Sequence, residues 1–303
     1  MTDHDSHASF TVGEVEIAHY VYRPDTIQFE SPKPFIHPLR TLAGREVSLF
    51  RPHDHVWHKG IAWTLANVNG HEHNFWGGPT YTSRAQWYEG LPNNGSQDHA
   101  SVVNAGSSGD TAEFAHELVW NAQGGGEVFR EARSLTARVL DGDSWVLGWS
   151  TRMTNVTDGP LRLGSPTTEG RENAGYGGLF WRGPRSFNDG TVIVPGGARD
   201  AEEVRGERHE WLGFVGKHDG DNSSSTLVFV DPGDNAGGTP RWFVRSNIFG
   251  CVCPAPFFTD EIELAPGETA QFRYAVVVAD GESDLARTEA LAAAGRSELG
   301  DSA

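Results

Sequence analysis

Along most of the chain, apolar and polar side chains alternate one by one in short runs rich in Val, Thr, Phe, Tyr and Trp. Successive side chains of a strand point to opposite faces, so a period of two predicts half-buried strands. Thr11–Ile17, Glu127–Leu135, Trp145–Ser150 and Thr226–Val230 read this way, and each is bounded by turn chemistry such as Asp141-Gly142-Asp143, Asp158-Gly159-Pro160 or Asp231-Pro232-Gly233. Glu261–Leu264 leads through Ala265-Pro266-Gly267-Glu268 into Gln271–Val278, which predicts a hairpin closing a sheet. A helical pattern occupies Ser283–Arg296, where Leu285, Ala286, Ala290, Leu291, Ala293 and Ala294 follow Ser283 as the expected N-cap.

Strands at roughly ten-residue spacing without intervening helices predict an all-β fold, here a large two-sheet antiparallel sandwich with a short C-terminal helix. Neither a repeat nor a composition shift marks a boundary. The expected organisation is a loose tail at 1–9, one β domain over 10–282, and a C-terminal helix and tail over 283–303.

Charge and composition narrow the function classes. Among 303 residues, 24 are basic and 41 acidic, and 24 − 41 gives −17. Such an excess repels phosphate backbones, and no basic stripe interrupts it, so nucleic acid is not an expected partner. No window approaches the roughly 20 apolar residues of a membrane-spanning helix, and the mean hydropathy is −0.45. A membrane partner is likewise not expected. The start, Met1-Thr2-Asp3-His4-Asp5-Ser6-His7, lacks the basic-then-apolar plan of an export signal. Cys251 and Cys253 are too close for a long-range disulfide, which fits a reducing, cytoplasmic setting. Pro254 places their strand at an edge or a bulge. The fingerprints GxxxxGK[ST], GxGxxG and GxSxG are missing, which sets aside nucleotide hydrolysis, Rossmann dehydrogenation and α/β-hydrolase chemistry.

Candidate chemistry concentrates in two segments. In Arg51-Pro52-His53-Asp54-His55-Val56-Trp57-His58-Lys59-Gly60, with His37 before it and His71 and His73 after, a turn would bring His53, His55 and His58 together. Neutral imidazoles on one point suit a divalent metal, and a single imidazole suits acid/base work at neutral pH. No HExxH or CxxC spacing requires a metal. The second segment runs from Pro166 to Arg182, where Gly175-Tyr176-Gly177-Gly178 lets backbone approach a ligand between Arg171 and Arg182. Aromatic residues cluster again at Asn74–Gly78 and Trp87-Tyr88, as platforms for a sugar ring would. Candidate carboxylates are Glu113, Glu117, Glu131, Glu169 and Glu172.

Lys33–Leu39, Asp54–Gly60, Val68-Asn69-Gly70, Phe75-Trp76-Gly77, Gly175–Arg182, Leu264–Glu268 and Arg273-Tyr274 together resemble the bacterial PmoA family over about residues 33 to 281. That family usually has Arg where this chain has Lys59. The resemblance implies a galactose-mutarotase-like β-supersandwich and a place in carbohydrate metabolism. Without a bilayer-spanning segment, methane oxidation is set aside.

The expectation is a protein acting on a sugar by acid/base chemistry, either epimerisation or glycosidic cleavage. His55, His58 and Glu169 are the proton-transfer candidates. Lys59 and Arg182 would hold oxygens, Trp76 would lie under the ring, and His37, Arg171 and Tyr176 would complete the ligand contacts. No cofactor is required and a homo-oligomer is allowed. The alternatives are a non-catalytic carbohydrate-binding protein and a metal-dependent enzyme, an oxygenase included, using His53, His55 and His58.

Overall fold

The computed structural model describes residues 1–300. Two large antiparallel sheets dominate it. One runs in the order Thr2–Asp3, His7–Val12, Val15–Val21, Phe35–Leu39, Ile61–Thr64, Gly178–Arg182, Cys251–Ala255, Arg241–Arg245. The other runs Gly197–Arg199, Thr191–Val194, Trp211–Lys217, Ser224–Val230, Thr269–Asp280, Ser144–Asn155, Glu127–Val139, Thr111–Asn121, Ser96–Ser108. Their inner faces pack against each other, with Trp63 on Phe272 at 4.9 Å between ring centroids and Trp181 on Phe229 at 5.7 Å. Such offset and tilted aromatic pairs bury large apolar areas, which is the main term holding two sheets together.

The expected β-sandwich with a C-terminal helix is therefore present. Helix Leu285–Leu299 lies on the outer face of the larger sheet, where Leu291 and Ala292 join Val146, Val228 and Val277 in an apolar cluster. A Cβ on Gly295 would stand 2.9 Å from Val230 and 3.1 Å from Val277, so glycine sets this close approach. The helix N-cap is Asp284, whose carboxylate accepts from the Arg287 N–H, and not Ser283. The loose tail expected from about residue 297 does not begin there, because the helix continues to Leu299; residues 301–303 lie outside the described residues. No helix among the described residues is long and apolar enough to cross a membrane.

Three expectations are corrected. Residues 1–9 are not a loose tail, because Thr2–Asp3 and His7–Val12 are paired strands and Ala8 is fully buried. Thr11–Ile17 is not one strand, since it turns at Gly13-Glu14 between His7–Val12 and Val15–Val21. Ile262–Leu264 does not pair with Thr269–Asp280. It pairs instead with Leu161–Gly164 in a separate small sheet, while Thr269–Asp280 sits between Ser144–Asn155 and Ser224–Val230.

At one end of the smaller sheet, both faces are covered. Leu179, Trp181, Trp242, Val244 and Val252 point into the main core, while Phe180, Phe243, Cys251 and Cys253 point the other way into a second apolar cluster with Trp76 and Phe249. Both cysteines are free and fully buried, and burial pushes the Cys251 thiol up to about 11. Cys251–Ala255 is not the edge strand expected from Pro254, since it lies between Gly178–Arg182 and Arg241–Arg245; its ladder with Gly178–Arg182 pairs Cys251 and Val252 and stops short of Pro254, which lacks an N–H to give. In native protein neither thiol should react with a bulky disulfide reagent until unfolding, so rapid labelling of two thiols per chain would contradict this arrangement.

Candidate active site

The second apolar cluster floors a cavity of about 390 Å³, a size suited to one small ligand. Strands Gly178–Arg182 and Arg241–Arg245 supply Phe180, Phe243 and Arg245. The 52–58 segment supplies His55, Trp57 and His58, and the 74–79 loop supplies Trp76. Glycines fix that last loop. Gly77 and Gly78 have positive φ, and a Cβ on either would stand within 2.8 Å of Trp57. Asn74 Oδ1 accepts from the Trp76 and Gly77 N–H groups, and the buried Lys33 ammonium donates to the Trp76 carbonyl at 2.8 Å.

Two turns, with the His55 N–H on the Pro52 carbonyl and the His58 N–H on the His55 carbonyl, shape the 52–58 segment. They bring His55 and His58 face to face, with ring centroids 4.8 Å apart. His55 Nδ1 lies 3.1 Å from Asp54 Oδ2, and Arg185 donates to the other oxygen of the same carboxylate at 3.1 Å. Burial opposes ionisation of Asp54, but hydrogen bonds from the backbone, His55 and Arg185 bring its carboxyl down to about 2. A carboxylate accepts only, so it selects the His55 tautomer with the proton on Nδ1 and leaves the Nε2 lone pair free.

His58 has the opposite assignment. Arg182 Nη1 lies 3.3 Å from its Nδ1, and a guanidinium can only donate, so the His58 proton sits on Nε2. Burial first, then the charges of His55, Arg182 and Lys33, hold the His58 pKa well below the ordinary imidazole value. The same burial lowers His55, against the opposing pull of Asp54. The site thus holds two neutral imidazoles side by side, one offering a lone pair and the other an N–H.

Residues 7–293 match the family of unknown function DUF6807. The chain belongs to that family. No curated protein matches it in sequence. Among solved structures, this DUF6807 member is similar to a variant of the GH36 alpha-galactosidase AgaA from Geobacillus stearothermophilus bound to raffinose. Identity is 13% and the TM-score 0.34, over 82% of this chain and 30% of that one. It is similar to a polysaccharide lyase at 15% identity and a TM-score of 0.30, over 63% of this chain and 24% of that one. The GalM/aldose epimerase homologue from C. elegans gives 11% identity and a TM-score of 0.32, over 88% of this chain and 95% of that one. The chain thus spans less than a third of the length of the galactosidase and of the lyase. Likenesses at this level establish nothing about what it binds. The PmoA-family resemblance finds no support in these comparisons.

Several expected site residues stand elsewhere in this DUF6807 member. Lys59 is buried in an ion pair with Glu30, which also takes Arg51, so its ammonium is committed to the fold. His37 stacks on Phe50 and bonds Ser48 outside the cavity, with burial lowering its pKa to about 4. Glu169 does not reach the cavity lining, and its carboxylate lies against the Asn69-Gly70 turn. His53 is exposed and accepts from Arg185, so the expected cluster of His53, His55 and His58 does not assemble. Among the described residues, no group of three or more His, Cys, Asp or Glu is placed to hold a metal ion.

The other candidate carboxylates do not line the cavity either. Glu131 is buried on Arg133, Trp120 and Thr151, while Glu113 and Glu117 bond Asn104 and Ser101 on the larger sheet, and Glu172 is exposed. His55, His58, Trp76, Arg171 and Tyr176 do meet at the cavity, with Arg182 directly behind His58.

Sequence reasoning missed Trp57, Arg245, Ile248 and Phe249 as lining residues. The alternation Arg241-Trp242-Phe243-Val244-Arg245 was a usable signal, since it puts Phe243 and Arg245 on one face opposite Trp242 and Val244. Nothing in the sequence marks Ile248, an exposed β-branched residue held at φ 70° on the rim.

Proposed function

We propose that this protein catalyses proton transfer on a sugar, the interconversion of anomers through ring opening. The observation that carries the proposal is the stacked pair of neutral imidazoles with opposite tautomers on an aromatic-walled cavity. Two groups side by side serve two adjacent oxygens better than they flank one carbon. His55 Nε2 accepts the proton of the anomeric hydroxyl, and that O–H pair becomes the carbonyl bond as the bond from the anomeric carbon to the ring oxygen breaks. The ring oxygen leaves as an alkoxide held by the His58 Nε2–H and takes a proton from water. After rotation about the neighbouring bond, the new hydroxyl attacks the other face of the carbonyl and gives its proton to the hydroxide left by that water, while the carbonyl oxygen takes the proton from His55; this yields the second anomer and restores the neutral imidazole. Trp76 and Tyr176 supply stacking surface for the ring.

Glycosidic cleavage fits less well. It draws on a pair of carboxyl groups flanking the bond, and no Asp or Glu lines the cavity among the described residues.

The test is polarimetry. Freshly dissolved α-anomers of galactose, glucose and their uronic acids should relax to equilibrium faster with enzyme than in buffer at pH 7. If no sugar of a broad panel relaxes faster, the proposal fails.

A further inference from the structure

The cavity has a charge opposite to that of the molecule. The chain carries −17 overall, yet among the described residues the cavity lining contains Arg171 and Arg245 and no carboxylate. Most arginines here sit against an acid, as Arg45 does on Asp221, Arg138 on Glu298 and Arg287 on Asp143. Around the cavity they sit against rings. Arg171 lies 4.6 Å from the Tyr88 centroid, Arg245 5.6 Å from Phe243 and Arg182 3.8 Å from Phe249. Arg182 is fully buried, and its Nε and Nη2 have no hydrogen-bond partner.

The nearby acids are already engaged, Asp54 by Arg185 and His55, and Glu202 by Arg205. A guanidinium buried without a carboxylate, as that of Arg182 is, is costly, and an anion in the neighbouring cavity offsets part of that cost. Arg171 and Arg245 are half-buried and have donors to spare, in the planar fork that matches a carboxylate.

Building on the anomer reading above, we propose that the ligand is an acidic sugar, a uronic acid whose single carboxylate is held by Arg245 and Arg171. One negative charge suits this site better than two, because most of the wall is aromatic and a dianion is harder to desolvate. Both arginines line the same cavity. The other end of the ring, with its anomeric centre, is left for His55 and His58.

Quenching of Trp57 and Trp76 fluorescence, with calorimetry as a second measure, reads the affinities. The probes are galacturonate, galactose, galactose 6-phosphate and cyclohexanecarboxylate at low salt. Galacturonate should bind about 10-fold or more tightly than galactose, the gain expected from charge-assisted over neutral hydrogen bonds. Arg245→Gln and Arg171→Gln should each weaken galacturonate binding more than galactose binding, and so shrink that preference, with the melting midpoint near wild type. Equal affinity for galactose and galacturonate would overturn the acidic-ligand proposal and leave the sugar reading standing. Tighter binding of galactose 6-phosphate than of galacturonate would replace carboxylate by phosphate. Binding of cyclohexanecarboxylate with none of the sugars would overturn the sugar reading itself, and no binding by any probe would overturn both.

Discussion

Replacing His55 with Gln should slow enzyme-catalysed anomer exchange by roughly 10²- to 10⁴-fold, the usual contribution of a positioned general base. Gln keeps much of the volume and a hydrogen bond to Asp54, but it has no basic nitrogen. His55 is partly exposed and its one polar partner, Asp54, keeps Arg185 in the variant, so the melting midpoint should move little. The acid limb of the pH profile adds a second readout. Burial lowers the His55 pKa from the ordinary 6.5, so the working neutral base persists below pH 6.5 and is lost only as pH falls through that lowered value. If the Gln protein relaxes α-anomers at the wild-type rate per folded molecule, His55 is not the base.

The second large effect is on stability and falls on Glu30. This fully buried carboxylate takes Lys59, itself buried, and Arg51 on its two oxygens. Glu30→Gln removes the charge and leaves the Lys59 ammonium inside the protein without its counterion, so unfolding free energy should drop by about 3–5 kcal/mol. Burial raises the Glu30 carboxyl, but the hydrogen bonds from Arg51 and Lys59 outweigh it and hold the net pKa below 4.5. A carboxyl depressed in the folded state adds stability above its unfolded value and loses it as pH falls through the folded one. The wild type should therefore lose this increment on acidification below about pH 4.5, and the Gln variant should show a shallower acid limb. Urea unfolding of both proteins across that range measures it. A Glu30→Gln protein as stable as wild type at pH 7 would mean the ion pair is not structural, and Lys59 would return to the ligand candidates.

Those two outcomes bear on what the sequence could reveal. The strands were legible because each carries its own alternation, and Glu127–Val139 or Ser224–Val230 can be read without knowing the neighbours. Pairing was not legible. Ile262–Leu264 looked like half of a hairpin because a good turn follows it, and a turn sequence does not say which strand lies alongside. The same distinction divides the candidate site. His55 and His58 stand out in the sequence because histidines are dense there, and the turns that bring them together join residues three apart, a local event. Lys59, next in sequence, was misread because its fate depends on Glu30, contributed by a segment 29 residues earlier. Glu169 was misread for a similar reason: its carboxylate settles against a turn near Gly70. Arg245 and Phe249 arrive from the far end of the chain, and only the sheet order places them beside Phe180.

The cavity floor is the outer face of the strands whose inner face carries Trp181, Trp242 and Val252. A ligand seated there rests on residues that cannot loosen without the main core loosening too, so occupancy and global unfolding are thermodynamically linked. Any compound that binds the native site and not the unfolded chain raises the melting midpoint, with about 2.7 kcal/mol gained at a hundredfold excess over its Kd. A thermal-shift screen of small acids and sugars would therefore register occupants without a chemical assay, and in doing so would rank ligands before any reaction is known.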